Sequence, residues 1–346
     1  MKEVLYYNID SIQTLRDAWI NLEKGADMTY YQTYSWYEML TKVYKDKKFS
    51  FEICFAVVYD EKIPKIIAPL IAYRKSYRFV NRKGIYFFGR KGWSDYLNLI
   101  YDDFNEDLVC FLLHEIREYF EVDKCYFEQI KVDTKFYNYL KRNNLIFNET
   151  LTDCVSLSLP KSKEEYNALL SKHARQNLRT ANNRVEKAGL NFKVNFDDKF
   201  VDKNVCREMR EKRVVDKKKK FYNSMSMFEK IKYRLYLSLE EHYPEFVPFY
   251  EDMNSKMLTS YDGDTLCSFF NYGIDHLHNT IVLMAVGTNE NYAKYSPGMI
   301  SLYSFICSNI ENGDIEYFDF TRGDEPYKFT LGGKKDMIAD VVVHFV

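Results

Sequence analysis

Three stretches of the 346-residue chain hold side chains able to do chemistry. The longest is Phe318-Asp319-Phe320-Thr321-Arg322-Gly323-Asp324-Glu325-Pro326-Tyr327-Lys328. It reads as a strand running into polar sequence punctuated by Gly and Pro, and α/β proteins collect binding groups outside the carboxyl ends of their strands. Within it, Asp319 or Glu325 suits a proton acceptor, Tyr327 a proton donor to a leaving group, and Lys328 and Arg322 the neutralisation of phosphates. A second stretch is Gly92-Trp93-Ser94-Asp95-Tyr96. Here a carboxylate beside aromatic rings suits the orientation of a hydroxyl or an amine, because the rings exclude water and strengthen its hydrogen bond. Third, Tyr295-Ser296-Pro297-Gly298 precedes an apolar helical run. Ser296 suits an N-cap and Pro297 the first helical position, while Gly298 lacks the Cβ that would hold an anion off the free N–H groups, a setting for a diphosphate. A solvated loop, a capped turn and an ordinary helix start are the plain structural readings of the three.

Charge adds a fourth feature. The net charge is −1, yet Ser171 to Lys220 carries 16 Lys and Arg against 7 Asp and Glu. In the helix that starts near Ser171, Ala174, Leu178, Ala181 and Val185 share one face, and Lys172, Arg175 and Arg179 cluster within about 60° on the other. The stripe reads either as a solvated helix surface or as a contact for a phosphate-bearing ligand, be it coenzyme A, a sugar nucleotide, lipid phosphate or tRNA. Lys217 to Lys220 reads as a solvated run. His276-x-His278 has no third ligand nearby, so no metal is expected. The sequence contains no Gly-x-Ser-x-Gly elbow, Walker loop or Gly-x-Gly-x-x-Gly, which removes the usual support for hydrolase, P-loop and Rossmann readings.

The elements that must position these residues follow from composition and pattern. Hydrophobic residues are 46% of the chain and aromatics 17%, which excludes global disorder, and the length suits about two domains. The seven Cys are spaced without a CxxC pair, so buried, reduced thiols are expected rather than a disulfide framework. No apolar run approaches the about 18 residues needed to cross a bilayer, and the N-terminus lacks the pattern of a signal peptide, so a cytoplasmic protein is expected.

Periodicity predicts a strand over Val4 to Ile9, helices over Ile12 to Lys24 and Trp36 to Tyr44, and a strand pair over Phe51 to Tyr59 and Ile63 to Tyr73. A Gly-bearing stretch (Lys83 to Trp93), a helix over Glu106 to Phe120 and a strand over Lys124 to Ile130 follow. The order then recurs: strands at Met257 to Tyr261, Leu266 to Ile274 and His278 to Val286, a helix at Pro297 to Ile310, and a strand at Ile315 to Phe320. Between them lies a largely helical region, Lys163 to Tyr243, with one strand at Asn191 to Phe196. The chain is therefore an α/β (α+β) protein of two similar halves, 1–155 and 156–346, the second including a helical basic segment over 161–243.

Taken together these pieces resemble the FemAB-like branch of the GNAT superfamily, in particular its CelD-like acetyltransferases. The resemblance is carried by Tyr295-Ser296-Pro297-Gly298, a helix, Gly313, and Phe318-Asp319-Phe320 running into Arg322 to Lys328. It is carried also by Gly89 to Tyr96, and by Ser171-Lys172-His173-Ala174-Arg175-Gln176-Asn177-Leu178-Arg179. It implies tandem GNAT-like units with mixed, mostly antiparallel sheets flanked by helices. The activity it implies is transfer of an acyl group from acetyl-CoA or another acyl-CoA, without a metal, to an amine or hydroxyl, the expected acceptor being a cell-envelope or polysaccharide precursor; the richness in Lys, Asn, Ile and Tyr suggests an AT-rich bacterial genome. The family supplies no single catalytic residue to carry over; read from the residues themselves, the candidates for that activity are Asp95, Asp319, Tyr327 and Lys328 for catalysis, Tyr96, Arg175, Asn177, Arg179 and Arg322 for acceptor binding, and Ser296, Pro297 and Gly298 for coenzyme A. Two alternatives stay open: a Fem-type ligase fed by aminoacyl-tRNA, from which the absence of sustained heptads departs, and a binding module without chemistry.

Overall fold

A computed structural model describes residues 1–45, 51–77, 80–89, 94–239 and 255–344. Gly92 and Trp93 of the second motif, and the end of the helical region beyond residue 239, lie outside them.

The first half opens with β1 (Lys2–Asn8), a 3-10 turn, α1 (Arg16–Leu22) and α2 (Tyr34–Lys45). The predicted Ile12 to Lys24 helix is thus a 3-10 turn followed by a short α-helix. β2 (Phe51–Asp60), β3 (Ile63–Tyr77) and β4 (Val80–Phe87) form an antiparallel meander, and α3 (Glu106–Phe120) returns the chain to β5 (Lys124–Lys131), parallel to β4. α3 starts where Asn105 Oδ1 accepts from Leu108 N at 3.1 Å and turns its apolar face, Leu108, Leu112 and Ile116 among it, into the core. α4 (Lys135–Arg142) and β6 (Ile146–Ser158) complete this half. Next come α5 (Lys163–Leu169), α6 (Lys172–Lys187), β7 (Phe192–Asn195), α7 (Lys203–Ser224) and α8 (Met227–Leu239). The second half repeats the first: a meander of β8 (Ser255–Asp262), β9 (Thr265–Asp275) and β10 (Thr280–Thr288), then α9 (Pro297–Asn312), β11 (Tyr317–Arg322) parallel to β10, α10 (Pro326–Thr330) and β12 (Lys334–His344).

The duplicated order expected from sequence is present, and the sheet is mixed and mostly antiparallel. The expected pair of sheets is fused, however, into one of twelve strands ordered β1-β2-β3-β4-β5-β12-β6-β11-β10-β9-β8-β7. The halves exchange their last strands. β6 pairs with β11 of the second half, β12 with β5 of the first, and the two exchanged strands pair with each other. Burial follows the exchange: Ile338, Ala339, Val341 and Val343 of β12 join the core of the first half, whereas Val155 and Leu157 of β6 join that of the second.

The exchange aligns two irregularities at the centre of the sheet. Against β12, β5 steps from Phe127 to Ile130 while its partner steps from Val341 to Ala339; against β6, β11 steps from Asp319 to Arg322 while its partner steps from Ser156 to Cys154. Each is a bulge of one extra residue, and each holds a side-chain-bearing residue at positive φ, Gln129 at 61° and Thr321 at 58°. A β-branched residue in that region is strained, so the surroundings must hold Thr321 there.

The halves also meet across the sheet face, where Gly273 of β9 lies under the buried ring of Tyr30. A Cβ at 273 would stand 2.4 Å from Tyr30 Cζ. Gly273→Ala is expected to lower the unfolding free energy by about 1 to 3 kcal/mol through overpacking. Urea denaturation checks this, and an unchanged midpoint would show that the ring moves aside freely.

Candidate active site

β10 and β11 pair only from Thr280 with Tyr317 to Val282 with Asp319, and then part. β9 still follows β10 on its other side, with Met284 as an extra residue between the Leu283–Tyr272 and Ala285–Asn271 pairs. Among the described residues, the β11-facing edge of 283–286 therefore has no strand partner. A cavity of about 230 Å³ occupies the gap, with Leu283 to Val286 on one wall, Phe320, Thr321 and Arg322 on the other, and Asp95, Phe270 and Tyr327 at its sides. Arg210, Arg213 and Lys217 of α7 line it as well, with Glu325 paired to Arg213 and Lys217, so the slot joins apolar walls to a charged border in which cations outnumber the anions. In the first half the corresponding space between β4 and β5 is filled by rings: Tyr86 stacks on Tyr126 at 4.8 Å and Phe87 packs on Phe127 at 4.6 Å.

The loop after β4 and the two bulges bring the polar groups together. Arg322 Nε lies 3.4 Å from Asp95 Oδ1. With its amide oriented to satisfy both neighbours, Gln129 accepts from Arg322 Nη1 at 2.7 Å and donates to the Ser94 carbonyl at 2.9 Å. Ser94 is held in turn by Trp36, whose Nε1 donates to its Oγ at 2.8 Å. Asp319 Oδ1 accepts from the Tyr96 hydroxyl at 2.8 Å and from Thr321 N at 2.7 Å. The second contact explains how the bulge tolerates its strain, since the carboxylate takes the amide that the sheet ladder has lost.

Electrostatics separates the carboxylates. Burial pushes Asp319 up to about 6, with Asp95 adding to the rise and the Tyr96, Thr321 and Lys131 contacts opposing it. Glu325 goes the other way: burial opposes its charge, but Lys217 at 2.5 Å and Lys328 at 3.1 Å hold it down at about 2. Asp319 is thus the group poised to take a proton near neutral pH, and Glu325 is a fixed anion. Burial also keeps Tyr327 protonated well beyond the usual tyrosine range.

Lys328 is 2% exposed. Its Nζ donates to the carbonyls of Thr321 at 3.0 Å, Arg322 at 2.8 Å and Gly323 at 3.0 Å, and pairs with Glu325. Three ammonium protons shared among four acceptors leave none for a substrate. Where sequence places this cation at a phosphate or at the reacting centre, the structure uses it to hold the turn that follows β11.

Asp95, Arg322, Tyr327 and Lys328 line the cavity, whereas Asp319 and Tyr96, hydrogen-bonded to each other, lie beside it and are not part of its lining. Arg175, Asn177 and Arg179 do not line the cavity. Arg175 Nη1 instead donates to the carbonyls of Asn167, at 2.9 Å, and Leu170, at 2.5 Å, closing the end of α5, and Arg179 is exposed. Nor is the α9 start the anion cradle that sequence suggests. Ser296 sits at φ 55° with no side-chain cap, its carbonyl accepts from both Met299 N and Ile300 N, and Pro297 has no N–H, so only the Gly298 N–H remains for a ligand. Gly298 serves packing, since a Cβ there would meet the Phe270 ring at 3.2 Å. The excess of positive charge over Ser171 to Lys220 did signal α7, but Gln129 carried no sequence signal, because its place is set by a bulge in the other half.

Residues 172–329 match the family described as acetyltransferase (GNAT) domain. No curated protein matches the sequence. Among solved structures, FemX is similar at TM-score 0.58 and 11% identity, over 97% of this chain and 96% of that one. A tandem GNAT protein from the clavulanic acid biosynthesis pathway is similar at TM-score 0.51 and 7% identity, over 99% and 98%. The C-terminal domain of a putative lysylphosphatidylglycerol synthetase from Agrobacterium fabrum is similar at TM-score 0.51 and 10% identity, over 96% and 92%. At these identities the likeness is one of fold.

Proposed function

From the assignment to the FemAB-like branch of the GNAT superfamily, which the family match and the FemX and tandem GNAT folds support, we propose that this chain transfers an acyl group from an acyl-CoA to an amine or hydroxyl of a cell-envelope or polysaccharide precursor. The observation that carries the reading is the parted pair of β10 and β11: a slot with apolar walls, a peptide edge without a strand partner and a border richer in cations than anions suit an extended thioester with a phosphate-bearing tail. Phosphates fit the guanidinium and ammonium groups of α7 better than the α9 start, where a single N–H is left.

In this reading Asp95 and Arg322 orient the acceptor. As its nitrogen or oxygen attacks the thioester carbon, its proton passes through a water to Asp319, which stands outside the cavity lining. N–H groups on the unpaired edge of residues 283–286 stabilise the oxyanion; the carbon–sulfur bond then breaks, Tyr327, kept protonated by burial, donates a hydrogen bond to the departing thiolate, and the thiolate takes its proton from solvent. Holding the two reactants about 3 to 3.5 Å apart supplies much of the rate.

The full-length likeness to FemX and the basic charge of α7 favour a second reading, with aminoacyl-tRNA as donor. Thermal shift separates the two. Acetyl-CoA or a longer acyl-CoA at about 100 times its dissociation constant should stabilise the protein by about 2.7 kcal/mol. Response to tRNA alone moves the donor to the second reading, and silence towards both overturns the first.

A further inference from the structure

The α7–α8 pair carries a surface that the proposed chemistry does not use. Met227, Phe228 and Ile231 are 82%, 69% and 61% exposed. At 100° per residue they fall within about 100° of one another on α8. Tyr233, on the opposite side of the helix, packs against Phe221 and Tyr222 of α7 at 5.9 and 6.3 Å. The apolar strip is therefore the face that α8 turns away from its partner. Cations flank it: Lys232 lies 5.3 Å from the Phe228 ring, Lys230 and Arg234 occupy the other border over Tyr222, and Lys218 to Lys220 are exposed on α7. From 218 to 234 the chain has six Lys and Arg against a single Glu.

We propose that this strip docks the protein on an anionic phospholipid bilayer, Met227, Phe228 and Ile231 entering the acyl boundary while the surrounding lysines meet the headgroups. An apolar strip between basic borders is the pattern of a helix lying in a membrane interface, and long Lys and Arg side chains snorkel from such a position. RNA would engage the cations, yet Met227 and Ile231 offer it no ring to stack, whereas hydrocarbon removes all three side chains from water. The inference stands apart from acyl transfer, and its test reads binding without turnover.

The full chain is sedimented with vesicles of phosphatidylcholine containing about 30% phosphatidylglycerol, and with phosphatidylcholine alone. Binding to the anionic vesicles is expected to be at least about tenfold stronger and to weaken as salt rises. Phe228→Ser with Ile231→Ser, changes at exposed positions, should cut it at least about fivefold. Phe228→Trp should show a blue-shifted indole emission on the anionic vesicles only. Equal binding by the double serine variant, an unshifted indole, or capture of tRNA with no vesicle binding overturns the proposal.

Discussion

Asp319→Asn is expected to melt higher than the wild-type protein at pH 8 and to transfer acyl groups about 10² to 10⁴ times more slowly. The sign follows from burial. Asp319 is raised from the ordinary carboxyl range, near 3.8, to about 6 in the native state, so the folded protein keeps this proton over a range in which the unfolded chain has released it. The stabilisation that this protonated carboxyl gives is full below pH 4 and lost as pH climbs through 6; above pH 7 the buried charge weighs on the fold by about 3 kcal/mol at most. Asparagine keeps an oxygen to accept from Tyr96 and Thr321 and carries no charge. The gain in melting temperature should therefore vanish at pH 4, and the wild-type rate should rise with pH through about 6. A variant that keeps full activity removes Asp319 from the chemistry, and loss of activity in Asp95→Asn alone would move the base to Asp95.

Lys328→Ala should cost about 3 to 5 kcal/mol of stability, because three carbonyls lose one shared donor and Glu325 loses its buried partner. The turn that follows Thr321 is then free to leave its strained conformation, taking Arg322 away from Asp95 and Gln129, so turnover falls as well. Lys328→Arg offers a fork where the turn holds a point charge and should rescue only part of the stability. Denaturation midpoints alongside rates decide the matter. An alanine variant that is inactive at wild-type stability would return Lys328 to the reacting centre.

Much of this arrangement is legible in the chain. The Glu106 to Phe120 helix, the repeated order of hairpin, helix and strand, and the motif from Phe318 to Lys328 rest on local pattern, and local pattern is enough for them. β6 and β12 were missed because neither forms a hairpin with a neighbour in sequence; their partners come from the opposite half. α4 and β4 escaped as well, β4 because a Gly-bearing stretch weakens the strand signal. Asp319 and Tyr96 are 223 residues apart, and nothing in either motif announces that a hydroxyl of one binds the carboxylate of the other. The role of Lys328 shows the converse limit. Residue type suggests a ligand contact, but only the position of three backbone oxygens shows that its protons are already taken.

The exchanged strands bear on how the molecule comes into being at the ribosome. β5 ends at Lys131 and its neighbour β12 begins at Lys334. At about 5 to 20 residues per second, the nascent first half waits some 10 to 40 s with that margin uncovered. Neither lobe can ripen ahead of its sibling, and a chaperone able to shield a bare strand margin has a defined interval in which to act.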